Sequence, residues 1–179
     1  TDPGQFFWVM LLAMIFYMPT ISLSNSIAYY ILKNNNYDVV KELKEEKKVF
    51  KYISEGYYDS YIKEFIQILD SYDKPVFLRF GHEFDNPQYP WSMKGGNTPE
   101  EFKAAWIHIS NLLEKENAHK VMMVWNPWKP DNMEDYYPGE EFVDWISLTM
   151  LNYGPLNDDG KHYSFKTLYE EFRSELRSF

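Results

Sequence analysis

The feature that most constrains this chain is a pair of short apolar runs with one strongly signalled helix between them. KPVFLRF, Lys74 to Phe80, is β-rich and opened by a proline. KVMMVWNP, Lys120 to Pro127, repeats the pattern. Between them NTPEEFKAAWIHISNLLEKE carries Thr98 where an N-cap belongs, Pro99 at the first helical position and Glu101 three residues after the cap, which together spell a capping box. Phe102, Trp106, Ile109 and Leu113 then recur at helical spacing as an inward stripe. Two strands joined by such a helix form a βαβ unit, which requires a parallel sheet.

The unit is repeated on both sides. Upstream, YYDSYIKEFIQILDSY places Tyr61, Phe65, Ile66 and Leu69 on one helical face, with the helix ending near Tyr72. Downstream, VDWISLTMLNY, Val143 to Tyr153, reads as a third strand. SFKTLYEEFRSELRSF follows as a helix with Phe165, Leu168, Phe172 and Leu176 inward. The expected fold class is therefore α/β, with a sheet of at least three parallel strands.

In such sheets ligands gather at the carboxyl ends of the strands. Arg79, His82 and Glu83 follow the first run, Asn126 closes the second, and Asn152 and Tyr153 close the third. Glu83 stands on a loop with Phe80, Phe84 and Trp91 around it, a setting that suits a general acid in glycoside hydrolysis, which needs two carboxyl groups flanking the bond. His82 could bond a sugar hydroxyl and Trp91 could offer a stacking face. The competing account makes Arg79 and Glu83 an ordinary ion pair and leaves His82 to a loop carbonyl; spacing alone does not separate the two.

Charge and composition exclude several functions. A net charge of -9, with lysines interspersed among acids, repels a phosphate backbone and argues against a nucleic-acid partner. Aromatic residues make up 19% of the chain, enough to supply both a core and sugar-stacking faces. There is no cysteine, which removes disulfides and thiolate metal sites. The histidines His82, His108, His119 and His162 share no metal-ligand spacing, and Asp158–Asp159 suits a surface turn better than a calcium site, so neither a metal nor a cofactor is expected.

The motifs from about Ile53 onward resemble glycoside hydrolases of family 26, the β-mannanase family of retaining (β/α)8 barrels. The likeness is carried by Arg79–Phe80–Gly81–His82–Glu83–Phe84–Asp85–Asn86 with Pro90–Trp91, then by AAWIHI, VMMVWNP, YYPGEEFVDWISL and the LNYG turn, in order. The resemblance implies that Glu83 is the general acid/base, that His82 lines the subsite of cleavage, that Trp91 stacks on sugar and that Tyr153 bonds the nucleophile. Arg79 and Asn126 join them as substrate-binding candidates. The chain departs from the family where Phe84–Asp85 replaces the usual Met-Asn, and where Asn152 stands for a common aspartate. The family's nucleophile, a glutamate ending strand seven, is expected beyond Phe179, and Glu170, Glu171 and Glu175 belong to a helix instead. About half the repeats of a (β/α)8 (TIM) barrel would then be present, in a fragment of a retaining hydrolase acting on β-mannan or a related β-glucan, nearly inactive alone for want of its nucleophile. A non-catalytic carbohydrate-binding module is the alternative.

The first quarter reads differently. Phe6 to Met18, FFWVMLLAMIFYM, is unbroken apolar sequence, and TISLSNSIAYYIL continues it to Leu32, so residues 6–32 suggest an N-terminal hydrophobic helix in contact with a membrane. TDPGQ lacks the positive start of a signal peptide. TDPGQFFWVMLL and YMPTISLSNSIAYY resemble a membrane stretch of bacterial nucleoside–proton symporters over about Thr1 to Lys41, which implies a transporter fragment too short to form a transport path. After it, DVVKELKEEKKVFK is a charged linker or solvated helix. The expected division is residues 1–48, a hydrophobic segment with linker, and 49–179, the barrel domain. Two unlike halves suit a chimera. Localisation stays open among extracellular, periplasmic and membrane-anchored.

Overall fold

The structure is a computed structural model that describes residues 48–72 and 74–177. The apolar run at 6–32 and the charged linker up to residue 47 lie outside the described residues; the linker's last residues, from Val49, open a helix. Among the described residues no helix is long and apolar enough to cross a membrane.

Three parallel strands form the sheet, in the order β1 (Val76–Leu78), β2 (Val121–Trp125), β3 (Trp145–Ile146). Val76 pairs with Val121 and Leu78 with Met123, while Val124 pairs with Trp145. Helices α1 (Val49–Ser54) and α2 (Asp59–Asp70) precede β1, α3 (Pro99–Lys115) joins β1 to β2, the single turn α4 (Met133–Tyr136) lies between β2 and β3, and α5 (Phe165–Arg173) follows β3. This is the expected strand and helix alternation.

Helix α3 starts where its sequence says it should. The Thr98 hydroxyl accepts from the Glu101 amide at 3.2 Å, and the Glu101 carboxylate accepts from the Thr98 amide at 3.0 Å. Phe102, Trp106, Ile109 and Leu113 are all buried, joined by Ala105 and Leu112. The Trp106 indole donates to the Phe142 carbonyl at 2.8 Å, which ties the helix to the loop before β3.

The core is an aromatic stack on the helix side of the sheet. Phe84 lies 4.4 Å from Phe102 between ring centroids and 4.7 Å from Tyr136, and Phe50 meets Phe102 edge-on at 5.2 Å. Fully burying one such ring contributes about 2 to 3 kcal/mol, so this cluster fixes how α1, α3 and the loop after β1 sit together. In α2 the buried residues are Tyr61, Ile62, Ile66 and Leu69, with Ile62 taking the deeper place expected of Phe65.

Two expectations need correction. The third strand is not the long element Val143 to Tyr153: only Trp145 and Ile146 are in strand conformation. The ladder continues as far as the Ser147 amide, which donates to the Trp125 carbonyl at 2.9 Å. Beyond that β2 ends in Asn126–Pro127, and a proline has no N–H to continue a ladder. In α5, Phe165 is exposed at 69% and only Phe172 is buried, while Leu168 is half-buried at the cavity and Leu176, beyond the helix, packs partly buried against the core.

Candidate active site

The site is built on the turn that follows β1. Gly81 has φ +51, and a β-carbon there would meet the Phe102 and Phe50 rings, both at 3.2 Å. Only glycine satisfies both the left-handed backbone and the close rings. Two residues on, Glu83 also adopts φ +49, which a side-chain-bearing residue occupies at a cost of about 1 kcal/mol or more. Its amide donates to the Asn126 carbonyl at 2.8 Å, so the turn is bonded to the end of β2.

This backbone path aims three side chains in different directions. The Glu83 carboxylate accepts from the Asn86 amide group at 2.8 Å. Phe84 turns into the core and is fully buried. Asp85 reaches to the loop after β2, where its two oxygens accept from the backbone amides of Trp128 at 2.7 Å and Lys129 at 2.9 Å. Burial pushes the Asp85 carboxyl above its ordinary range; the two amides oppose that and the nearby Glu83 charge adds to it.

His82 is buried, packed edge-on against Tyr89 at 5.0 Å and Trp91 at 5.2 Å. Its imidazole is held below its ordinary value by burial first and the Arg79 guanidinium second, with Glu83 pulling the other way. A ring so placed is neutral near pH 7 and can both donate and accept a hydrogen bond.

A cavity of about 800 Å³ opens at these strand ends. Arg79, His82, Glu83 and Tyr153 all line it, so the structure brings four of the six candidates to one place. Tyr153 is 57% exposed, on the turn after the short third strand. Asn126 is not in the cavity wall: it is buried, its amide group donates to the Ser147 carbonyl at 3.0 Å and the Thr149 hydroxyl at 3.3 Å, and its side-chain oxygen has no hydrogen-bond partner. Trp91 is also set back. Its indole donates to the His82 carbonyl at 3.1 Å, and its ring stacks on Tyr89 at 4.4 Å with the planes 7° apart. Tyr89, and not Trp91, lines the cavity.

Sequence reasoning passed over Asn86, Tyr89 and Trp128, all in the cavity wall, and named Asp85 only as a departure from the family pattern. Asn86 could have been found, since Asn at three residues from an acid in a turn is a recurrent local donor. Glu171 of α5 is a further carboxylate at the cavity rim. Among the described residues, no three His, Asp or Glu side chains converge so as to hold a metal ion. Asp159 accepts from the Tyr163 hydroxyl at 2.7 Å and from the Lys161 amide at 3.1 Å, closing a surface turn.

Comparison with known proteins bears on the fold. GH26C of Muricauda sp. superposes with a TM-score of 0.51 at 21% identity over 71% of this chain and 36% of its own. A β-mannanase from a symbiotic protist of the termite Reticulitermes speratus, solved with a gluco-manno-oligosaccharide, gives a TM-score of 0.51 at 22% identity over 65% of this chain and 33% of its own. The described residues share part of the family 26 glycoside hydrolase fold.

Among curated relatives, a β-1,3-xylanase of Vibrio sp. is 30% identical over 103 residues, which is 54% of this chain and 21% of the xylanase. Endoglucanase H of Acetivibrio thermocellus is 30% identical over 136 residues, 70% of this chain and 15% of that protein. The chain thus spans about a fifth or less of the curated relatives it matches. A family model, the nucleoside H+ symporter, matches residues 1–49. Both resemblances read from the sequence are present.

Proposed function

We propose that residues 49–179 are part of a (β/α)8 barrel of a retaining glycoside hydrolase that binds β-linked polysaccharide, with Glu83 as its general acid/base. The observation that carries this is the placing of Glu83: a carboxylate on a left-handed turn at a strand's carboxyl end, in the wall of a cavity of about 800 Å³, bonded to Asn86 and flanked by His82. A backbone held in that costly region is typical of sites where aim matters more than stability. The named activities of the relatives, on β-1,3-xylan, glucan and mannan, agree in a β-linked pyranose chain and differ in sugar and linkage.

In the reaction, the Glu83 carboxyl gives its proton to the departing glycosidic oxygen and later takes one from the attacking water. His82, neutral and buried, bonds a hydroxyl of the sugar at the cleaved bond, Arg79 and Tyr153 contribute polar edges, and Tyr89 backed by Trp91 offers an aromatic face. Asn126 supports the Glu83 backbone through its carbonyl, which accepts from the Glu83 amide. A retaining mechanism also needs a carboxylate nucleophile about 5 to 5.5 Å from the acid. The segment after β3, Ser147 to Tyr153, holds no acid, and Glu171 belongs to a helix, so this chain by itself binds polysaccharide and hydrolyses it at or near background.

The test is co-sedimentation of the full chain with insoluble β-mannan and β-1,3-xylan, together with an assay for released reducing ends. Retention on at least one polymer, by the wild type and by Glu83→Gln alike, with no release above background, supports the account. Release that Glu83→Gln abolishes would show that a nucleophile lies within this chain. Retention on neither polymer would remove the polysaccharide reading.

A further inference from the structure

We propose that Trp128 is a second saccharide-stacking residue of this cavity and that Asp85 is the positioning residue that holds it there. The inference rests on the saccharide reading of the cavity and names how a β-linked pyranose chain is gripped on the β2 side, opposite in origin to Tyr89, which comes from the loop after β1.

Three observations converge. Trp128 lines the cavity and is only half-buried, whereas Trp106 and Trp125, which serve the core, are both 0% exposed. An aromatic residue in a cavity wall that also holds the polar side chains of Asn86, Gln88 and Thr149 has the composition that suits a pyranose, whose C–H faces pack on rings and whose hydroxyls bond polar groups. Lys129 lies with its ammonium 5.3 Å from the Trp128 ring centroid, which steadies the indole.

The backbone carrying the ring is fixed from the other loop. Asp85 accepts from two consecutive amides, those of Trp128 and Lys129, so one carboxylate pins the turn in place. Asp85 gets its direction from the turn at Glu83, whose own amide is bonded to Asn126, the residue that begins the same β2 loop. The acid and the indole are thus set by one interlocked pair of turns. A sugar unit stacked on Trp128 is held in fixed register with Glu83, which is what a cleaving or chain-gripping site requires.

The experiment is calorimetric titration of the full chain with β-1,4-mannohexaose and, separately, cellohexaose. Trp128→Ala is expected to weaken the tighter of the two by about tenfold, and Trp128→Phe to keep most of the affinity. Asp85→Asn should weaken it too, and the combined Asp85→Asn, Trp128→Ala chain should bind no more weakly than Trp128→Ala alone, because Asp85 acts through the indole. Tryptophan emission offers a second readout on a conservative change: the saccharide-dependent shift of the wild type should be lost in Trp128→Phe while the binding heat remains. Wild-type affinity in Trp128→Ala, losses that multiply in the combined chain, or an unchanged emission shift in Trp128→Phe would overturn the inference and leave the saccharide reading standing. No binding of either hexaose by the wild type would overturn that reading, and this inference with it.

Discussion

The Glu83 amide donates to the Asn126 carbonyl at 2.8 Å, joining the turn after β1 to the end of β2 beyond Leu78 and Met123, where the two strands stop pairing. Because Glu83 has φ +49, its side chain leaves that bond pointing into the cavity while its neighbours Phe84 and Asp85 are committed to the core and to the next loop. The acid is therefore placed by backbone geometry.

Gly81 is the hinge of that geometry. Gly81→Ala combines a left-handed φ of +51 with ring contacts at 3.2 Å, so it should lower stability by about 2 to 3 kcal/mol, read as a fall in the urea midpoint at unchanged slope.

Asn86→Ala removes the donor to the Glu83 carboxylate and the acceptor of the Gln88 amide at 3.0 Å. With Asn86 buried, the loss should be about 1 to 3 kcal/mol by chemical denaturation. Asn86→Asp should cost at least as much, since it sets two carboxylates against each other.

Thr98→Ala breaks the capping box at the start of α3. About 1 kcal/mol of stability should be lost, with Thr98→Ser restoring most of it.

His82 sets a pH dependence. Its folded-state value lies below the ordinary 6.5, so as pH falls through 6.5 the unfolded chain takes up a proton that the folded chain resists. Stability from this group is complete above 6.5 and is lost as pH falls toward the lower folded value. Between about pH 7.5 and about pH 5 the wild-type melting temperature should fall more than that of His82→Gln; parallel curves would contradict the placing of His82.

The sequence made the helices and the βαβ order legible because those depend on local signals: a capping box at Thr98, a proline at position 99, and an apolar stripe that reappears intact in the core. Glu83, His82 and Arg79 were legible as strand-end residues for the same reason, whereas Tyr153, read as closing a third strand that stops at Ile146, reaches the cavity from the loop beyond it. Strand β3 was not, since VDWISLTMLNY is apolar enough for a long strand and its true length is set by where β2 turns at Pro127. The choice between Tyr89 and Trp91 as the cavity face, and the role of Trp128, depend on how two loops interlock through Asp85, a contact across 43 residues that no local pattern encodes.

The central claim is that Glu83 is the acid/base carboxylate of a saccharide site. N-bromoacetyl-β-D-mannosylamine tests it directly, because the carboxylate of an acid/base group displaces bromide to form an ester when the sugar is held in the adjacent subsite. Mass spectrometry of the treated full chain should find one adduct, on the peptide containing Glu83, suppressed by excess β-1,4-mannohexaose and absent in Glu83→Gln. An adduct elsewhere, or labelling of Glu83 that the saccharide does not suppress, would contradict the claim.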